Sequence, residues 1–360
     1  MKLFKCQSCG NLVYFDNTTC EVCSHRLGFI PERTTISALE PLDEGWSALE
    51  TPGQNWRQCD NAQYGVCNWL IPEGSAARLC LACMHNHIIP DVDRHESFAA
   101  WQKIEVAKHQ LFYQLLRLGL PTPTRIDDPV GGLAFDFLAE PEDASQPHVM
   151  TGHNNGLITL ALREADDAER IRLRDAMGEP YRTLLGHFRH ETGHFYWNLL
   201  VRDGGRLDAC RAVFGDDSQD YAAALRRHYA EGVPPDWQGR FVSAYATTHP
   251  WEDFAETWAH YLHIVDTLET ARAFGIRVRP RVTDDPELMA EIDFDAYHAG
   301  DARTLVDNWL PLTFAVNSLN RSMGQPDLYP FILSAPVVEK LEFIHRLVQG
   351  TLPAEQRQAA

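Results

Sequence analysis

The sequence predicts an α+β chain, mostly helical and preceded by small cysteine modules. Three observations predict it. Eight of the nine cysteines fall between Cys6 and Cys83, several as Cys-x-x-Cys pairs. From Asp91 the clustered cysteines stop and long amphipathic segments take over. One short stretch within them, Gly156-Leu-Ile-Thr-Leu-Ala-Leu162, reads as a strand after the turn-rich His153-Asn-Asn-Gly.

The helices carry their own punctuation. Ser97 suits the N-cap of a first helix over 97–118, whose apolar face holds Trp101, Ile104, Leu111, Leu115 and Leu118; Gly119 and Pro121 stop it. Pro180 suits the first turn of a second, where Tyr181, Leu184, Leu185 and Phe188 recur at helical spacing and Gly204 and Gly205 form the end. Pro250 opens a third, which runs to about Phe274 and stops at Gly275. Composition then divides the chain into a cysteine module at 1–30, a Pro-, Glu- and Thr-rich linker at 31–52, a second cysteine module at 53–90, a large domain at 91–350 and a frayed tail at 351–360.

Charge and composition narrow the function. Across 360 residues the formal net charge is −18, which repels phosphate backbones and anionic lipid and sets nucleic acid and membrane aside as main partners. The basic residues near the first module, Lys2, Lys5, Arg26 and Arg33, are few and form no stripe with aromatics, which favours protein docking or a structural role there. The stretch MKLFKCQSCG lacks the apolar core and cleavage site of a secretory signal, and no run of about 18 apolar residues suggests a spanning helix. The expected location is the cytoplasm, where cysteines in this pattern are reduced and bind metal.

Cys6, Cys9, Cys20 and Cys23 form two Cys-x-x-Cys knuckles separated by ten residues, the spacing of a small zinc ribbon. Four thiolates close a tetrahedral site, so this zinc is expected to be structural. Cys59, Cys67, Cys80 and Cys83 give a second such set with one knuckle, in which His85 or His87 is the alternative to one thiolate. Cys210 stands alone and reads as an inert thiol.

The second helix carries His190, Glu191 and His194 in an H-E-x-x-H arrangement. Residues four apart on a helix differ by about 40° in direction and lie one turn apart, so both imidazoles can reach one zinc ion. Glu191 sits on the neighbouring face, where a general base contacts water without binding metal. A catalytic zinc usually takes three protein ligands. A third histidine six residues past His194, after a glycine, is excluded, since those positions hold Leu200 and Trp197. A glutamate from a later helix is the other common solution. Glu252 and Glu256 are four apart on one face of the third helix, as a ligand and its supporting carboxylate would be.

Here the sequence resembles the gluzincin metallopeptidases, in particular the anthrax lethal factor-like branch, which pairs H-E-x-x-H with a later E-x-F-A-E. This chain reads Glu252-Asp253-Phe254-Ala255-Glu256. The resemblance implies a gluzincin-like domain in which Glu252 binds the metal, Glu256 supports a histidine, and Tyr245, seven residues before the ligand, steadies the developing oxyanion. The whole chain is also similar to bacterial zinc-binding metallopeptidases with an N-terminal zinc ribbon. Together these imply three zinc ions, one catalytic and two structural, and a peptide or protein substrate cut by zinc-assisted hydrolysis with Glu191 as base. The alternative from another class is a protein-binding adaptor that uses the cysteine modules and keeps a vestigial peptidase site.

Other polar residues have bland readings beside functional ones. His260 is a substitute ligand or a packed residue one turn past Glu256, and His187 a support to the site or a packed or solvent-facing histidine. His249 reads as a cap or wall. His153 and the Gly156–Leu162 stretch offer either an edge strand that pairs with substrate or a plain core strand. Residues 317–330, with Arg321 and Tyr329, form either a substrate wall or, on the favoured reading, a structural turn.

Overall fold

The computed structural model describes residues 3–141, 143, 145–177 and 182–355. It contains both helices and sheets, as an α+β chain should. The chain divides into two compact units, Met1–Ile171 with Thr183–Phe188, and Arg172–Arg182 with Arg189–Ala360. Among the described residues no helix is long and apolar enough to cross a membrane.

The first unit begins with a hairpin of β1 (Phe4–Lys5) and β2 (Leu12–Val13). The knuckle Cys6–Cys9 sits at its turn, where Gly10 takes a φ of +78°, open to glycine at little cost. Five antiparallel strands follow in chain order, β3 (Arg26–Ile30), β4 (Thr35–Pro41), β5 (Trp46–Ala48), β6 (Asn55–Gln58) and β7 (Leu70–Pro72). A parallel bridge from Phe29 to Trp69 brings the end of this meander back to its start. Ile30, Leu39, Ala48, Trp56 and Leu70 form its core.

Residues 31–52, read from composition as a linker, therefore hold β4 and β5. Their prolines and acids crowd the ends, while Ile36, Ala38 and Leu39 are buried between neighbouring strands. The order of such a strand is set by its partners more than by its own pattern.

A second sheet has the order β10 (Gly152–Asn154), β11 (Leu157–Ala161), β9 (Ala134–Leu138), β8 (Asn86–Ile88). The strand anticipated at Gly156–Leu162 is thus interior, paired with β9 on one side and β10 on the other. Edge pairing with a substrate is closed to it; the short β10 holds that edge. Helix α1 (His95–Arg117) buries Ile104, Leu111, Phe112 and Leu115, and Phe112 meets Phe135 of β9 edge-on. It starts two residues before Ser97, with Phe98 N bonded to Arg94 O, so Ser97 lies inside the first turn and is not the cap.

Helix α2 (Asp167–Met177) comes next, then α3 (Leu184–Tyr196). Pro180 and Tyr181, the proposed opening of that helix, lie outside the described residues. From Tyr196 the helical path goes on as a π-helix over Trp197–Arg202 and gives way to a turn at Gly204 and Gly205, where the sequence places its end.

The second unit is built from helices. After the π turn come α4 (Leu207–Phe214), α5 (Tyr221–Glu231) and α6 (Pro250–Ala273), which runs as expected between Pro250 and Gly275. A small hairpin of β12 (Arg277–Val278) and β13 (Ala290–Glu291) leads to α7 (Ala302–Ser322) and α8 (Ala335–Val348). Helix α6 is buried on most sides, through Phe254, Trp258, Leu262, Val265 and Leu268. Its Asp253 forms a buried ion pair with Lys340 of α8 at 2.6 Å.

Candidate metal centres

Among the described residues four groups of side chains gather donor atoms tightly enough to hold a metal; one of them, Cys83 with Glu105 and His109, shares Cys83 with a four-cysteine set, which leaves three separate places. Cys6, Cys9, Cys20 and Cys23 form one. The sulfurs of Cys6 and Cys23 are 3.6 Å apart, as are those of Cys9 and Cys20. A tetrahedron with metal–sulfur bonds of about 2.3 Å has edges near 3.8 Å, so these spacings fit a zinc ion. They are far longer than a disulfide bond, about 2.05 Å. All nine cysteines are free thiols.

Cys59, Cys67, Cys80 and Cys83 form the second group, every member buried, with Cys67 and Cys80 again 3.6 Å apart. Neither histidine considered as a replacement joins it. His85 Nδ1 bonds Leu133 O, and His87 Nδ1 pairs with Asp136. His109, which sequence reasoning passed over, places Nε2 3.6 Å from Cys83 Sγ while its Nδ1 bonds Glu105 O. Its neighbour Lys108 is fully buried against Glu105 at 2.8 Å.

The third group is His190, His194 and Glu252, in the second unit, whose donor atoms all lie within 4.8 Å of one another. Helix α3 supplies the two histidines one turn apart, and the first turn of α6 supplies the glutamate. The Nε2 atoms of His190 and His194 stand 3.1 and 3.4 Å from the same oxygen, Glu252 Oε2. That oxygen is buried. Zinc–ligand bonds of about 2.0–2.1 Å in a tetrahedron give donor spacings near 3.3 Å, so the three atoms match the edges around one ion.

The surroundings steady these donors. His190 Nδ1 donates to Glu256 Oε1 at 2.6 Å, which leaves Nε2 as the ring's free donor atom toward Glu252. The ring of Trp251 lies on His194 with centroids 3.6 Å apart. Burial opposes the charge on His190, but the Glu252 and Glu256 carboxylates outweigh it and hold its pKa well above the usual value. Burial likewise pushes Glu252 up, and the adjacent histidines more than reverse this, leaving it well below the carboxylate range.

Glu191 is buried on α3 beside these ligands, outside the donor triad. Tyr245 lies in a short helical turn before α6, its ring 5.9 Å from that of His190. Burial, then the Glu252 charge, raises its phenol pKa, so it stays a protonated donor. One site residue was missed. Tyr221, at the start of α5, donates its hydroxyl to Glu252 Oε1 at 2.7 Å. No sequence pattern ties it to a glutamate so far along the chain.

The remaining candidates resolve into packing. His260 Nδ1 accepts from the Tyr329 hydroxyl at 2.7 Å and stands outside the triad. His187 pairs with Glu164 within the first unit. His249 caps α6, its Nδ1 accepting from Trp251 N. His153 closes the β10–β11 turn by accepting from Gly156 N. In 317–330, Asn317 exchanges hydrogen bonds with the Tyr329 backbone and Arg321 pairs with Asp327, which makes the segment a closed structural loop.

Comparison with known proteins agrees with this chemistry. Residues 97–347 match the model of a family described as "putative zinc-binding metallo-peptidase", and residues 3–94 match a zinc-ribbon domain. Uncharacterized proteins of Mycobacterium tuberculosis and Mycobacterium bovis are each 41% identical over 354 residues, covering 98% of this chain and 97% of theirs. No solved structure matches.

Proposed function

We propose that this chain, which belongs to the family described as "putative zinc-binding metallo-peptidase", hydrolyses peptide bonds in a peptide or protein substrate at the His190, His194 and Glu252 site. One observation carries the reading: two imidazole nitrogens and a distant carboxylate oxygen converge at 3.1 and 3.4 Å, close to the edges of a tetrahedron around one zinc ion. Zinc held there supplies a Lewis acid that makes water nucleophilic near neutral pH and polarises a carbonyl.

The chain's own groups do the rest. The Glu191 carboxylate takes a proton from the attacking water and delivers it to the leaving amine nitrogen. Tyr245 donates its phenol proton in a hydrogen bond to the carbonyl oxygen as that oxygen gains negative charge. Glu256 holds His190 in one tautomer and orientation through Nδ1.

This ligand set is of the gluzincin type, and we assign residues 91–350 to the peptidase domain. The two four-cysteine sites each take one structural zinc, for three ions in all, and the region that holds them offers a surface for a protein partner. Eight thiols gathered into two four-cysteine sites favour a reducing cytoplasm.

The test is Glu191→Gln in the full chain, assayed on a broad peptide library with and without chelator. The expected result is full zinc content with cleavage reduced about 10²-fold to 10⁴-fold, the usual worth of a general base. Undiminished cleavage removes Glu191 from the mechanism, and no chelator-sensitive cleavage by the unaltered chain removes the peptidase reading.

A further inference from the structure

Glu252 is the third residue of α6, counted after its cap His249. A glutamate in that position commonly folds back to bond the backbone N–H of the cap residue, which would turn it inward along its own helix. Glu252 does not. Oε1 accepts from the Tyr221 hydroxyl at 2.7 Å, and Oε2 faces His190 and His194. With the side chain 2% exposed, bulk water is not available to solvate Oε1 in place of the phenol.

Tyr221 is itself held in place. Asp220 caps α5 by accepting from Ala223 N at 2.9 Å. His249 Nδ1 accepts from Trp251 N, which leaves Nε2 to donate to Gln219 O at 3.2 Å. The Tyr221 ring meets those of His249 and Trp251 edge-on, with centroids 5.4 and 5.9 Å apart. Gln219, Asp220 and Tyr221 thus form a brace across the start of α6.

We infer that Tyr221 is a positioning residue: its phenol holds the outer oxygen of Glu252 and so presents the other oxygen to the metal. The inference rests on the zinc site proposed above and adds a group outside its donor set. A hydroxyl donating to a carboxylate is a short, charge-assisted bond. It fixes the rotation of the carboxylate, so that Oε2 and not Oε1 faces His190 and His194. Without it, Glu252 is free to swing toward its own helix cap or to offer both oxygens to the ion.

The test compares zinc affinity at the labile site by chelator competition in the full-length wild type, Tyr221→Phe and Tyr245→Phe. Phe keeps the ring contacts and removes the hydroxyl, with its bond to Glu252 and its contact with the Tyr245 side chain. Tyr221→Phe is expected to bind zinc about 10-fold to 100-fold more weakly, as for loss of other hydrogen bonds to metal ligands. Tyr245→Phe is expected to keep its affinity and lose turnover. Retention of the two cysteine-bound zinc ions in each variant reports an intact fold.

If Tyr221→Phe fails to fold, 4-aminophenylalanine at position 221, which again donates a hydrogen bond, serves instead and should hold zinc as the wild type does. Equal affinity in wild type and Tyr221→Phe overturns the inference and leaves the peptidase reading standing. Weaker binding by Tyr221→Phe with no cleavage by the wild type supports the inference and removes the peptidase reading. A wild type with no labile zinc overturns both.

Discussion

At Gly193 the backbone of α3 packs directly against Ala255 of α6. A Cβ built on Gly193 would lie 2.8 Å from Ala255 Cα and 3.2 Å from its Cβ, nearer than real Cβ atoms approach backbone. Gly193 precedes His194, and Ala255 lies three residues past Glu252. Two backbones that close let a carboxylate on one helix reach two imidazoles on the other.

Gly193→Ala should therefore weaken the site. In an open helix that change gains about 1 kcal/mol of helix propensity. Here the added methyl meets Ala255 Cα, Cβ and carbonyl oxygen, none of which can rotate out of its way, and overpacking of this kind costs about 1–3 kcal/mol. The expected outcome is a lower melting temperature and easier loss of the labile zinc, read by thermal denaturation and chelator titration. A variant more stable than wild type, with zinc equally firm, would mean that the helices are not in close contact at this point.

His260 gives stability a pH dependence. Burial, helped by Arg189 and opposed by Glu256, lowers its pKa to about 4, and the ring accepts the Tyr329 hydroxyl, as a neutral imidazole can. The unfolded chain, with a histidine near 6.5, binds the proton that the folded chain refuses. The contribution is complete above that value and is lost as pH falls toward 4, by about 1.4 kcal/mol for each step of one in pH. His263, pushed down to about 3 chiefly by burial, acts in the same direction. Urea denaturation of His260→Phe should show a shallower fall in stability between pH 6.5 and 4.5 than wild type. Acid release of thiolate-bound zinc is common to both proteins and cancels in the comparison. Parallel curves would remove His260 as a source.

What the sequence revealed followed the range of the interaction. His190 and His194 share a helix face by spacing alone, and Glu252 with Glu256 form a similar pair on α6; the choice of Glu252 as the one facing the histidines came from the family resemblance and not from spacing. Tyr221 was not readable, because its bond to Glu252 depends on how α5 meets α6. Gly193 was visible as a glycine within a helix, but its purpose lies in Ala255 on another helix. Residues 31–52 looked like a linker because a strand such as Thr35–Pro41 gains its order from β3 and β5 on either side. The strand at Leu157–Ala161 was recognised by its own residues, whereas its interior place came from β9 and β10, which the local pattern does not report.

The most direct test of the account is the zinc content of the purified chain before and after mild chelation, in wild type and in His190→Ala. Wild type is expected to hold three zinc ions and fall to two, and His190→Ala to hold two from the outset. Two ions in wild type, unchanged by the chelator, would contradict a third site formed by α3 and α6.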